Sequence, residues 1–161
     1  MRLDGLEPPG HHVPRHLPVH DLRVYEAHGG HTLRRHVGTR PGDEIRRILR
    51  GGVAAAGRFI DRPTAQRSVE RAIGHHRREI WNWLHAPRPA ARLTFVDDLA
   101  QVIGGSLSRA DLARGVRDPQ PVTGVRLVLA MDDTLRGGFT VVTAYPTRPR
   151  GRSLTSRPAA A

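Results

Sequence analysis

A chain of 161 residues is long enough for one domain with its own core, and at 38% hydrophobic and only 4% aromatic residues that core is built mainly from Val, Leu, Ile and Ala. Its 26 basic residues, all of them Arg, face 15 acidic ones, a formal charge of +11. There is no Cys, which excludes disulfides and thiolate zinc sites, and no apolar run approaches the length of a membrane span or a signal-peptide core. A GC-rich genome accounts for Arg in place of Lys but not for the excess of positive charge. The planar fork of Arg suits phosphate, so a polyanionic partner is the natural reading.

Residues 1–20 are dense in Pro and His and read as a linker or extended arm, since such prolines block helix and central strand alike. Gly29-Gly30 marks a turn, after which His31 or Thr32 opens a short helix ending near Gly38. Pro41 and Asp43 start another helix, with Ile45, Ile48 and Leu49 on one face and Gly51-Gly52 as its stop. Asp61 is a good N-cap for a helix with Pro63 in its first turn and an apolar stripe of Ala65, Val69, Ala72 and Ile73. A further helical turn carries Ile80, Trp81, Trp83 and Leu84 and is stopped by Pro87 and Pro89.

The second half changes character. Leu93, Phe95 and Val96 read as strand, and so do Gln101 to Ile103. Gly104-Gly105 and the stretch from Arg109 to Gly115 read as loop. Val125 to Met131 and Phe139 to Tyr145 form a hairpin around the polar turn Asp132 to Gly138. Residues 148–161, rich in Arg, Pro, Ser and Ala, read as a disordered tail. Helices first and strands later make an α+β fold, with N-terminal helices packed on an antiparallel sheet and a single domain over residues 21–147.

Three features carry candidate chemistry. His28, His31 and His36 form a cluster. A metal reading puts His28 and His31 on one helix face, but no carboxylate follows at a useful spacing and the H-E-x-x-H signature is absent. An acid–base reading uses the near-neutral pKa of His, with His31 at a helix start where backbone N–H groups favour an anion. The plain alternative is surface histidines in a His-rich chain. Arg46, Arg47 and Arg50 lie on the following helix, either as a solvated face or with one guanidinium turned into a cleft. Thr143 and Tyr145 are two apart in a strand and so share a face, either as ordinary strand formers or as paired hydroxyls. Trp81 and Trp83 are suited to base stacking, though at helical spacing beside Ile80 and Leu84 at least one belongs to the core; His75, His76 and His85 read as surface residues.

The stretch GGHTLRRHVG, an Arg-bearing helix, FIDRPTA, IWNWL and a closing FTVVTAYP resemble the ribonuclease A-like toxin domains found at the C-termini of bacterial contact-dependent growth-inhibition proteins and other polymorphic toxins. The similarity runs from about Tyr25 to Pro146. The resemblance implies a kidney-shaped ribonuclease A-like fold without disulfides. It also implies a site of one His, one Arg and a Thr-x-Tyr pair: His31 or His36, with His36 favoured by its place in the HVG element, then Arg47 (Arg46 being the adjacent choice), Thr143 and Tyr145. The implied activity is metal-independent RNA cleavage through the substrate's own 2′-OH to a 2′,3′-cyclic phosphate, with no cofactor. Such a toxin is delivered to the target-cell cytoplasm as part of a larger protein, acts as a monomer and has a cognate immunity protein, expected to be acidic against a charge of +11. The rival readings are a non-catalytic Arg-rich nucleic-acid-binding module, a metal-dependent nuclease or zinc domain, and a different toxin activity on the same delivery system.

Overall fold

The computed structural model describes residues 12–149. The first part of the expected arm, residues 1–11, and the expected tail from residue 150 onward lie outside the described residues. The chain forms α1 (Leu22–Ala27), α2 (Thr32–His36), α3 (Asp43–Gly51), β1 (Ala55–Phe59), α4 (Arg62–His75), α5 (Arg77–Leu84), β2 (Arg92–Asp98), β3 (Gly104–Ser108), α6 (Arg109–Ala113), β4 (Gln120–Val122), β5 (Gly124–Met131) and β6 (Phe139–Thr147). The α+β architecture is as expected, but the strands divide into two antiparallel three-stranded sheets, ordered β1-β3-β4 and β2-β5-β6.

The main core lies between α4, α5 and the β2-β5-β6 sheet. Ala65, Val69, Ala72 and Ile73, the stripe expected of α4, are all buried. They meet Phe95, Val125, Leu127, Leu129, Val141 and Ala144 from the sheet. The Asp61 carboxylate caps α4 by accepting from the Thr64 N–H at 2.8 Å. Trp83 is buried and donates its indole N–H to the Ala90 carbonyl at 2.8 Å, while Trp81 packs against the same core, so both serve packing. Residues 12–20 carry no helix or strand, yet Leu17 is buried in this core and Val19 packs against it. At the other end, Arg148 pairs with the buried Asp111 at 2.8 Å.

Several local expectations are corrected. Gln101 to Ile103 is not strand; the strand begins at Gly104 and includes the Gly104-Gly105 pair read as loop. Glycine has low strand propensity, but here only glycine fits. A Cβ on Gly104 lies 2.1 Å from the Arg58 carbonyl oxygen, and one on Gly57 of β1 lies 2.0 Å from that of Pro146 on β6. The missing side chains let the two sheets approach at that point. The stretch from Arg109 opens with α6 rather than loop, nucleated by a reciprocal capping box between Ser108 and Asp111. Strands β1 and β4 and helix α1 were not expected. Leu49, placed on the apolar face of α3, is 67% exposed. The helix covers only a small satellite cluster of Ile48, Ala56 and Leu107, so a single fully buried apolar position suffices, with Ile45 packed beside it.

Candidate active site

The chain is fastened so that α2 lies across the middle of β6. The His31 N–H donates to the Val142 carbonyl at 2.9 Å, and the Ala144 N–H donates to the Thr32 hydroxyl at 2.9 Å. Gly30 makes this approach possible, since a Cβ there stands 2.5 Å from the Val141 carbonyl oxygen. The GGHT sequence is therefore a docking element. Two residues of α2 reach toward the sheet: Thr32 is bonded to β6, and His36, one turn on, is 2% exposed.

The five residues that the resemblance puts forward come together. His31, His36, Arg47, Thr143 and Tyr145 line one cleft of about 470 Å³, together with residues 53–56, Arg126 and Thr147. The sequence offered Arg46 as an alternative to Arg47. Arg46 instead pairs with Asp43 on its own helix and lies outside this cleft. His28 takes no part: its Nδ1 is 2.9 Å from Asp132 in the β5–β6 turn, and the positive φ of Gly29 separates it from His31, so the two histidines do not share a helix face.

His36 is the centre of the arrangement. Its ring stacks on Tyr145 with centroids 5.1 Å apart, and its Nδ1 is 2.8 Å from the Gly57 carbonyl oxygen. A carbonyl only accepts, so Nδ1 carries the proton and Nε2 is left with a free lone pair. The Arg47 guanidinium approaches the same Nδ1 at 3.3 Å and reaches the Arg35 carbonyl at 3.4 Å. Because Nδ1 already carries its proton, the guanidinium contact is a close approach of positive charge rather than a hydrogen bond. Burial lowers the His36 pKa to about 4; the Gly57 bond opposes this, and Arg47 and His31 add to it. The ring is therefore neutral at pH 7. The His31 pKa is also lowered, first by burial and then by Arg35 and Arg34. Burial and the nearby Arg35 lower that of Arg47 as well.

The Thr143 hydroxyl is buried and makes no hydrogen bond. A buried polar atom without a partner costs about 1–3 kcal/mol, and of the five such side-chain atoms among the described residues this is the one that belongs to the cleft lining. No carboxylate lines the cleft. Arg47 also borders an adjoining groove lined by Arg34, Arg35, Arg46 and Arg50, with Asp43 the one acidic side chain there. The cleft thus offers a neutral imidazole, a second histidine, guanidinium donors and two hydroxyls, a set matched to an anion and to proton transfer. Arg126 was not singled out from the sequence. Its signal was a charged residue inside an apolar strand, legible only once the register placed it opposite Tyr145.

Comparisons with known proteins place the chain in a family. Residues 30–146 match the family model of the bacterial CdiA-CT RNAse A domain. The crystal structure of a CdiA-CT/CdiI complex from Y. kristensenii 33638 is similar, with 30% sequence identity and a TM-score of 0.64, the match covering 73% of this chain and 99% of that one. No match was found among curated protein sequences. The matched span runs from the Gly30 docking turn through the helix bearing Arg47 to the strand bearing Thr143 and Tyr145, and the chain belongs to the family of ribonuclease A-like toxin domains at the C-termini of bacterial contact-dependent growth-inhibition proteins.

Proposed function

We propose that this toxin nuclease cleaves RNA by metal-independent transphosphorylation. The observation that carries the reading is the convergence of a buried neutral imidazole, a guanidinium and an unpartnered hydroxyl in one carboxylate-free cleft. His36 Nε2 accepts the proton of a ribose 2′-OH. The 2′-oxygen forms a bond to phosphorus as the bond from phosphorus to the 5′-oxygen breaks. His31 donates a proton to the departing 5′-oxygen. Arg47, with the hydroxyls of Thr143 and Tyr145, holds the non-bridging oxygens as their charge grows. The products are a 2′,3′-cyclic phosphate and a free 5′-OH.

The depressed pKa of His36 fits the role of base, since the unprotonated form prevails at neutral pH. An incoming phosphate offsets the field of Arg47 and raises both histidines, which helps His31 hold the proton it must give. DNA lacks the 2′-OH and is inert on this reading. The test is incubation of the purified chain with total RNA in EDTA, beside H31A, H36A and Y145F variants. Cleavage that survives the chelator, leaves cyclic phosphate ends and is lost in H36A is expected. Intact RNA with the wild type sinks the reading in favour of an Arg-rich binding module.

The similar CdiA-CT was crystallised with CdiI. By extension, this monomeric domain is delivered by a larger toxin to the target-cell cytoplasm and is held inactive by an acidic immunity protein covering the cleft. The net charge of +11 supports such a partner through electrostatic steering. A cognate partner that is basic, or whose association rate does not fall with salt, would contradict this.

A further inference from the structure

We infer that Arg126 is a further substrate-binding residue, a second guanidinium that holds a phosphodiester oxygen of bound RNA from the strand beside Tyr145. The inference rests on the ribonuclease reading of the cleft. Arg126 lies within β5 between Val125 and Leu127, both fully buried on the opposite face. Its register partner on β6 is Tyr145, and cross-strand partners share a face, so its side chain joins Tyr145 in lining the cleft.

The same face of β5 continues with Gly124 and Val128, so Arg126 is not one of a row of charges on a solvated surface. It is half-buried, and among the described residues its side chain makes no hydrogen bond or ion pair. Two of the other half-buried arginines have a carboxylate, Arg58 with Glu44 and Arg62 with Asp21, while among the described residues Arg77 on α5 has none. Arg126 instead shares a cleft with Arg47, with no acidic residue in the lining. Glu44 and Asp43 act on Arg47 from its own helix, but neither is in the lining, so an anion between the two guanidiniums would be the one negative charge inside the recess. Arg47 comes from α3 and Arg126 from β5, so the two guanidiniums reach the ligand from different elements of the fold. The phosphate held is either the scissile one or its neighbour, and substrate length separates these.

The test uses R126Q and R126K in the full chain. Three quantities are read: binding of a fluorescein-labelled short 2′-O-methyl oligoribonucleotide across a salt series, thermal unfolding, and cleavage of a dinucleoside monophosphate and of a longer RNA. R126Q is expected to bind the oligonucleotide about tenfold more weakly, with the slope of log affinity against log salt reduced by about one. R126K recovers part of the affinity, and Tm does not fall in either variant. Loss on both cleavage substrates assigns the scissile phosphate; loss on the longer RNA alone assigns its neighbour. Binding by R126Q within about twofold of wild type overturns the inference, as does a binding loss that tracks a fall in Tm, or a wild type that does not bind the probe. Weakened binding in R126Q beside a wild type that cleaves nothing keeps Arg126 as an anion ligand and sinks the ribonuclease mechanism instead.

Discussion

Three histidines outside the cleft and the two inside it have different neighbours. His28 is 2.9 Å from Asp132, His75 is 2.7 Å from Asp97, and His76 is 2.8 Å from Glu79. Each lies within hydrogen-bond distance of a carboxylate. Inside the cleft, His36 has a backbone carbonyl and a guanidinium, His31 feels Arg35 and Arg34 more strongly than Glu26, and no carboxylate is part of the lining. The cleft leaves positive charge and a hydroxyl without partners, an arrangement that makes sense when a ligand supplies what is missing.

The largest expected effect is at His36. H36Q should lower RNA cleavage by about 10²–10⁴-fold, the range of a lost general base, with circular dichroism unchanged. Retention of more than a tenth of the activity would remove His36 from the mechanism. R47Q should cost about 10²–10³-fold in kcat, as for a lost charge-stabilising donor. R46Q should cost less than threefold, because Arg46 is tied to Asp43 outside the cleft. Equal losses in the two variants would erase the distinction the structure draws.

T143V replaces an unpartnered hydroxyl with a methyl of the same shape. Activity should fall while stability holds or rises by about 1 kcal/mol in denaturant unfolding. A destabilised variant would show that the hydroxyl serves the fold.

His36 also makes a pH prediction. Its folded pKa of about 4 is below the ordinary 6.5, so between these values the unfolded chain binds the extra proton. Stability is fully present above pH 6.5 and is lost as pH falls to about 4, by about 3 kcal/mol for a shift of this size. The loss over that window should shrink in H36Q, and the acid limb of kcat/KM for the wild type should fall near pH 4 rather than 6.5. The smallest effect is outside the cleft. H28Q removes a partly exposed pair and should cost less than about 1 kcal/mol, with cleavage unchanged.

What the sequence determined by itself was local chemistry. Asp61 is read as a cap because its carboxylate needs only the next turn of helix, and Thr143 and Tyr145 share a face because strands alternate. The β5–β6 hairpin and the stripe on α4 follow from periodicity alone. Only the tertiary structure decided the rest. Strands β1 and β3 were hidden because Gly57 and Gly104 occupy a point where another chain segment passes within about 2 Å of a would-be Cβ, a demand that strand propensity cannot encode. The neutral state and tautomer of His36 depend on Gly57, 21 positions away, and on burial under elements that local sequence does not specify. That Arg47 and Arg126 line the cleft while Arg46 does not depends on which side chains the packed sheet and helix turn toward it, since charge and spacing in sequence are alike for guanidiniums that face a cleft and those that face water.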